Sequence, residues 1–142
     1  MLRGISPLIP PDLLHVLAQM GHGDEIVFSD ALFPAHSIGQ RVIRLDGVEI
    51  PRLLDAVLPL FPIDTYVEDS IVMVAAPQDD VEDRDLESKY RSVIDKYDSG
   101  LPKTTFLEDR HDFYARARQA FCVVVTGSVV KYGNLLLKKG VY

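Results

Sequence analysis

The chain predicts a three-layer α/β/α sandwich with a central, mostly buried sheet, and three observations carry that α/β fold class. Segments with apolar residues at helical spacing alternate with short apolar runs of strand length, as happens when helices cover a sheet. The runs Ile71 to Ala75 and Phe121 to Thr126 are apolar almost throughout instead of alternating, which marks strands covered on both faces. The length of 142 residues is that of one ordinary domain, residues 1–142, with enough chain to bury a core unaided by disulfides or metals.

Taken in order, Pro10-Pro11-Asp12 followed by Leu13, Leu14, Leu17 and Met20 reads as an amphipathic helix. Proline lies in its first turn, Gly21 stops it, and His15 is on the other face. After the tight turn Gly21-His22-Gly23, Glu25 to Ser29 has the composition of a buried strand, and Asp30 sits just past its carboxyl end. Pro34 and the small residues around it predict an irregular loop over residues 31–37. Arg41 to Leu45 is a short strand closed by the turn signal Asp46-Gly47. Pro51 opens a second helix, with Leu53, Leu54, Val57, Leu58 and Phe61 at helical spacing and Pro59 and Pro62 ending it.

A short extended piece, Asp64 to Val67, precedes the strand Ile71 to Ala75. The acidic residues between Asp79 and Glu87 are placed at the front of a third helix, where negative charge suits the positive helix end. Leu86, Tyr90, Val93, Ile94 and Tyr97 form the apolar face of that helix, and Ser99-Gly100-Leu101-Pro102 breaks it. Thr104 to Leu107 is another strand, and Phe113, Tyr114, Ala117 and Ala120 mark a helix over residues 111–120. Phe121 to Thr126 follows as a strand, Gly127-Ser128 turns, and Lys131 onward enters the final strand. Strand order is not encoded in these patterns.

Bulk properties narrow the function classes. The net charge of -6 with no basic stripe argues against nucleic acid, which needs clustered Lys and Arg to neutralise phosphates, and a small neutral ligand or a protein partner fits better. No window approaches the ~18 consecutive apolar residues of a membrane helix, and no apolar leader stands at the start, so neither membrane nor secretion is expected. The single Cys122 lies inside an apolar run, which makes it a small buried hydrophobe and favours a reducing, cytoplasmic setting. At 47% hydrophobic, the composition leaves room for a subunit interface.

Several chemistries lack their motifs. No GxGxxG or GxxxxGK[ST] loop is present, so nucleotide binding is not expected, and there is no GxSxG elbow for a covalent nucleophile. His22, Asp24, Glu25, Asp30 and His36 are ligand types, but their spacing matches no standard zinc or calcium pattern, so no metal is expected. What remains is acid-base and hydroxyl-binding chemistry. His22, between two glycines, need not pack in a core, and an imidazole titrating near neutrality suits proton transfer. A solvated or structural histidine fits the same pattern.

Asp30, just outside a strand's carboxyl end, stands where α/β sheets collect ligands, and a carboxylate there accepts sugar hydroxyls or caps the next loop. His22 needs the fold to bring it to Asp30. Arg110 does nothing for the dipole of the helix it precedes, which favours a ligand or interface contact. Tyr132-Gly133-Asn134 combines a phenol, a residue permitting close approach and an amide, a set suited to hydroxyl recognition or to an ordinary turn. Asp24 and Glu25 read as bonded to backbone donors or an arginine.

Over nearly its whole length the chain resembles the D-ribose pyranase and fucose mutarotase family, on its L-fucose branch. The likeness rests on Ile5-Ser6-Pro7-Leu8-Ile9, Met20 through Asp30 with Phe33-Pro34-Ala35-His36-Ser37, Arg110 with Phe113-Tyr114-Ala115-Arg116-Ala117, and Lys131-Tyr132-Gly133-Asn134 with Leu137-Lys138-Lys139-Gly140-Val141. The resemblance implies a cofactor-free and metal-free isomerase acting on a free monosaccharide. That means anomer exchange of L-fucose, with pyranose-furanose exchange of D-ribose as a possible companion. It implies a homo-oligomeric ring, typically a decamer of two pentamers, with sites completed by a neighbouring subunit.

By the same resemblance His22 matches the proton donor, Asp30 and Arg110 sugar-binding residues, and Tyr132, Gly133 and Asn134 the late binding tripeptide. Anomer exchange moves two protons, and the chemistry of these side chains assigns the second to Tyr132 or a bound water. Two departures bear on substrate preference: Leu32 where the branch often has His or Asn, and Ser128 where it often has Glu. The alternative is a non-catalytic sugar-binding or sensing module using the same residues.

Overall fold

In the computed structural model, which describes residues 1–142, six strands form one mixed sheet with helices on both faces. The chain runs α1 (Pro11–Gln19), β1 (Glu25–Ser29), α2 (Ala35–Ile38), β2 (Val42–Leu45), α3 (Ile50–Val57), β3 (Ile71–Val74), α4 (Leu86–Ile94), β4 (Thr105–Leu107), α5 (Arg110–Gln119), β5 (Cys122–Thr126) and β6 (Leu135–Lys138), and a 3₁₀ turn (Leu58–Leu60) extends α3. The spatial order is β2-β5-β1-β6-β3-β4. Every pairing is parallel except those of β6, which lies antiparallel between β1 and β3. The carboxyl ends of β1 to β5 therefore share one edge with the amino end of β6. The exit of β6 joins the opposite edge.

Period-two alternation divides the strand residues between two cores. Ile26, Phe28, Cys122, Val124, Leu135 and Leu137 meet α1, α3 and α4 on one face, while Val27, Val123, Val125 and Leu136 meet α2 and α5 on the other. The three-layer sandwich follows, with β1, β3, β5 and β6 nearly continuous in burial. The two edge strands, β2 and β4, are short and partly exposed, which limits unwanted pairing at the sheet's rims.

Four boundaries differ from the sequence reading. Residues 35–38 form the one-turn helix α2, because proline's fixed φ at Pro34 is compatible with a helix start. Residues 64–67 contain no strand; only Ile63 bridges to Lys139. The acidic run reaches α4 only at its end: α4 starts at Leu86 and ends at Ile94, with Asp85 at the N-cap position and Glu87 in the first turn. Asp83 instead accepts the Asp85 N–H at 2.9 Å, a local bond of the kind that competes with helix, while Asp80 and Glu82 bond Lys131. The last strand begins at Leu135, after Tyr132 has taken a left-handed φ of 60°.

Candidate active site

Asp30, Arg110, Tyr132 and Asn134 line one cleft of about 220 Å³ at the carboxyl edge, together with Val74, Tyr114 and Lys131. Three chain turns bring them there: the exit of β1, the first residue of α5 and the entrance to β6. Asn134 Oδ1 accepts the Asp30 N–H at 2.8 Å, which commits the amide oxygen and leaves the NH₂ group to donate to a ligand. Asp30 Oδ1 accepts the Leu32 N–H at 2.8 Å, so the carboxylate does cap its loop while Oδ2 stays open. Arg110 begins α5 beside the N-cap Asp109, which accepts the His111 N–H. The exposed Arg110 guanidinium has no partner elsewhere in the chain, which leaves a free cation on the wall of the cleft that Asp30 also lines.

Gly133 acts through its backbone. Its carbonyl accepts the buried Tyr90 phenol at 2.7 Å, and a Cβ at this position would come 3.0 Å from the Val130 carbonyl and 3.1 Å from Tyr90 Oη. Burial pushes the Tyr90 phenol well above its ordinary pKa, so it stays a donor. Tyr132 donates its phenol to Asp80 Oδ2 at 2.8 Å, and Lys131 Nζ donates to Asp80 Oδ1 at 2.8 Å. The bond to Asp80 raises the Tyr132 pKa, while Lys131 and then Tyr132 lower that of Asp80. A phenol so placed gives up its proton only toward Asp80 and offers an oxygen lone pair to the cleft.

His22 lies elsewhere. It occupies the turn between α1 and β1, at the amino edge, and Glu25 to Ser29 separates it from Asp30 by about 13 Å of extended strand. Within one chain the fold does not bring the two together. The turn is clamped to the exit of β6: the Gly23 N–H donates to the Lys139 carbonyl at 2.8 Å, and the Lys139 N–H to the Asp24 carbonyl at 2.8 Å. Gly23 takes a φ of 88° that other residues rarely adopt. Lys139 Nζ binds the Leu17 and Met20 carbonyls, filling acceptors that the end of α1 leaves open. His22 Nε2 sits 3.3 Å from Asp64 Oδ2, and the Tyr66 ring is 5.6 Å from the imidazole.

The neighbouring acids serve the frame. Asp24 Oδ2 accepts the Gly21 N–H at 2.7 Å, and Glu25 pairs in two-pronged fashion with Arg116. Desolvation opposes the charge on Arg116, but Glu25 and then Asp69 outweigh it and raise its pKa. His36 is exposed on α2 and outside the cleft, and no group of three or more His, Cys, Asp or Glu side chains is arranged around a metal position.

Sequence reasoning missed Asp64, Asp80, Tyr90 and Tyr114. Asp80 lay within a run read as a helix start, and Tyr90 and Tyr114 kept helical spacing as core residues. Only Asp64, an acid set directly after the apolar stretch Leu58 to Ile63, gave a usable signal.

These features define a class: an α/β protein whose open sheet edge carries a small polar cleft suited to several hydroxyls, with an accessible histidine on the other edge. The chain belongs to the RbsD / FucU transport protein family, whose model matches residues 3–142. Curated relatives from three strains of Haemophilus influenzae, each an L-fucose mutarotase, are 50% identical over 141 residues, 99% of this chain and 97% of theirs. The fucose mutarotase of Streptococcus pneumoniae, solved in complex with L-fucose, superposes with a TM-score of 0.92 at 43% identity over 99% of both chains. Bacillus subtilis RbsD, solved with D-ribose, shares the fold at a TM-score of 0.73 and 18% identity, over 100% of this chain and 99% of that one. No helix is long and apolar enough to cross a membrane.

Proposed function

We propose that this protein is a cofactor-independent sugar mutarotase that exchanges the α and β anomers of free L-fucose, and that it works in the cytoplasm. The observation that carries this reading is the convergence of Asp30, Arg110, Tyr132 and Asn134 on one cleft, in a chain half identical to L-fucose mutarotases. Support for L-fucose over D-ribose comes from the same identities, since the ribose-bound relative shares only the fold. The unpaired, buried Cys122 supports a reducing compartment.

Anomer exchange opens the ring and closes it again. An acid protonates the ring oxygen as the bond from that oxygen to the anomeric carbon breaks, and a base takes the proton of the anomeric hydroxyl, leaving an open-chain aldehyde. Rotation about the bond next to the carbonyl and the reverse transfers close the ring on the other face. In our reading Asp30 Oδ2, Arg110 and the Asn134 amide hold the hydroxyls, Gly133 keeps the tripeptide close to the sugar, and Tyr132 relays one proton. His22 handles the other. Because His22 points from the opposite edge, the site is assembled from two copies in a closed ring, the decamer of two pentamers that the family resemblance implies. General acid-base help of this kind is worth about 10²–10⁴-fold.

Exchange NMR on equilibrated L-fucose tests the reading. Faster magnetisation transfer between the anomeric protons than in buffer is the expected result. Binding of L-fucose with no acceleration would overturn it in favour of a sugar-sensing module. D-ribose in the same experiment measures pyranose-furanose exchange.

A further inference from the structure

We infer that Asp64 is the positioning residue of this site: its buried carboxylate holds His22 as the Nε2–H tautomer and thereby presents Nδ1 as the nitrogen that exchanges a proton with substrate. The inference rests on the role given to His22 above and says how that role is set.

The Asp64 side chain is only 4% exposed, whereas His22 is 44% exposed. Burying a carboxylate is costly unless hydrogen bonds satisfy it. Oδ1 accepts the Tyr66 N–H at 2.9 Å, and Oδ2 has the His22 imidazole Nε2 at 3.3 Å. An ionised carboxylate only accepts, so the nitrogen facing it must carry hydrogen. In the neutral ring the remaining nitrogen, Nδ1, then has a free lone pair.

The backbone around Asp64 leaves it little freedom. Its N–H donates to the Lys138 carbonyl at 3.0 Å, the Gly140 N–H donates to the Pro62 carbonyl at 2.8 Å, and a Cβ on Gly140 would lie 2.7 Å from Asp64 Cα. The exit of β6 therefore grips both partners, Asp64 through residues 138 and 140 and the His22 turn through Lys139. A carboxylate that orients a histidine and fixes its tautomer is familiar from hydrolytic triads, where replacing it by the isosteric amide costs about 10⁴ in kcat. Asp64→Asn keeps the shape and the bond from Tyr66 but turns an NH₂ group toward His22, which then accepts at Nε2 and carries its hydrogen on Nδ1.

The test uses the assembled protein with ¹⁵N-labelled histidine, the His22 signals being assigned by their loss in His22→Gln. Solid-state ¹⁵N NMR of the neutral ring should show Nε2–H in the native protein and Nδ1–H in Asp64→Asn, and the variant should lose about 10²–10⁴-fold in kcat with KM nearly unchanged. A native Nδ1–H ring, or a tautomer that Asp64→Asn leaves unchanged, overturns the inference. His22→Gln separates the two readings. Full exchange activity in that variant removes His22 from the chemistry whatever its tautomer, whereas loss of activity there with an unaltered tautomer in Asp64→Asn removes Asp64 alone.

Discussion

At the carboxyl edge of the sheet, polar side chains from three chain turns surround a cleft, and the Arg110 guanidinium among them is unpaired. At the amino edge a single histidine stands in a turn bolted to β6 by backbone bonds and touched by one buried carboxylate. One edge supplies many open donors and acceptors; the other supplies one ring with its surroundings fixed. On the proposed function, the contrast separates recognition from proton transfer. β1 and β6 run in register through both edges, which keeps the two groups of residues a strand's length apart, and on the proposed function they are complementary half-sites that face different ways.

If that division holds, removing the amino-edge group should affect rate and not sugar binding. His22→Ala should lower kcat for anomer exchange by about 10²–10⁴-fold while L-fucose binding by calorimetry stays close to native. Asp64, only 4% exposed, loses the imidazole as a hydrogen-bond partner, so thermal unfolding should show a loss of about 1–3 kcal/mol with the fold retained. Loss of binding in step with rate would break the comparison.

Arg110→Ala should act in the opposite sense. Losing a charge-assisted hydrogen bond to a sugar hydroxyl is worth about 1.5–3 kcal/mol, so KM should rise about 10–100-fold with a smaller change in kcat. Steady-state exchange rates across L-fucose concentrations read the split.

Asp80→Asn sharpens the account of Tyr132. The Asp80 carboxylate raises the Tyr132 pKa because it favours the protonated phenol. Removing that charge should lower the value toward the ordinary tyrosine range, so the phenolate appears at lower pH in the variant than in the native protein. ¹³C NMR of the labelled Tyr132 ring carbon followed through alkaline pH measures this, and an unchanged midpoint would show that Asp80 does not hold the phenol.

The smallest effect on activity belongs to the frame. Glu25→Gln removes one partner of the largely buried Arg116 and should destabilise the fold by about 2 kcal/mol, less than a fully unpaired charge because Asp69 remains. Exchange activity per folded protein should be retained.

The layers were legible in the sequence because helix and strand periods are local, and both core strands and helix faces obeyed them. Glu25 and Asp24 also behaved as expected, since ordinary ion pairing and turn capping need little knowledge of the fold. The acidic run was misplaced because its side chains find partners some fifty positions away, Lys131 with Asp80 and Glu82, and a first-turn rule cannot see them. Asp30, Arg110, Tyr132 and Asn134 were each singled out, yet their shared cleft depends on β6 running antiparallel, which no single segment encodes. His22 was equally visible, and its distance from Asp30 was not.

Co-expression of His22→Ala with Asp30→Ala subunits tests the divided site most directly. Neither variant alone should exchange L-fucose anomers above a small residual rate. In mixed rings, random assortment pairs two native half-sites at up to about a quarter of positions, and exchange activity should return to that level. Mixed rings as inactive as their parents would contradict a site shared between copies and place the whole reaction on one edge of one chain.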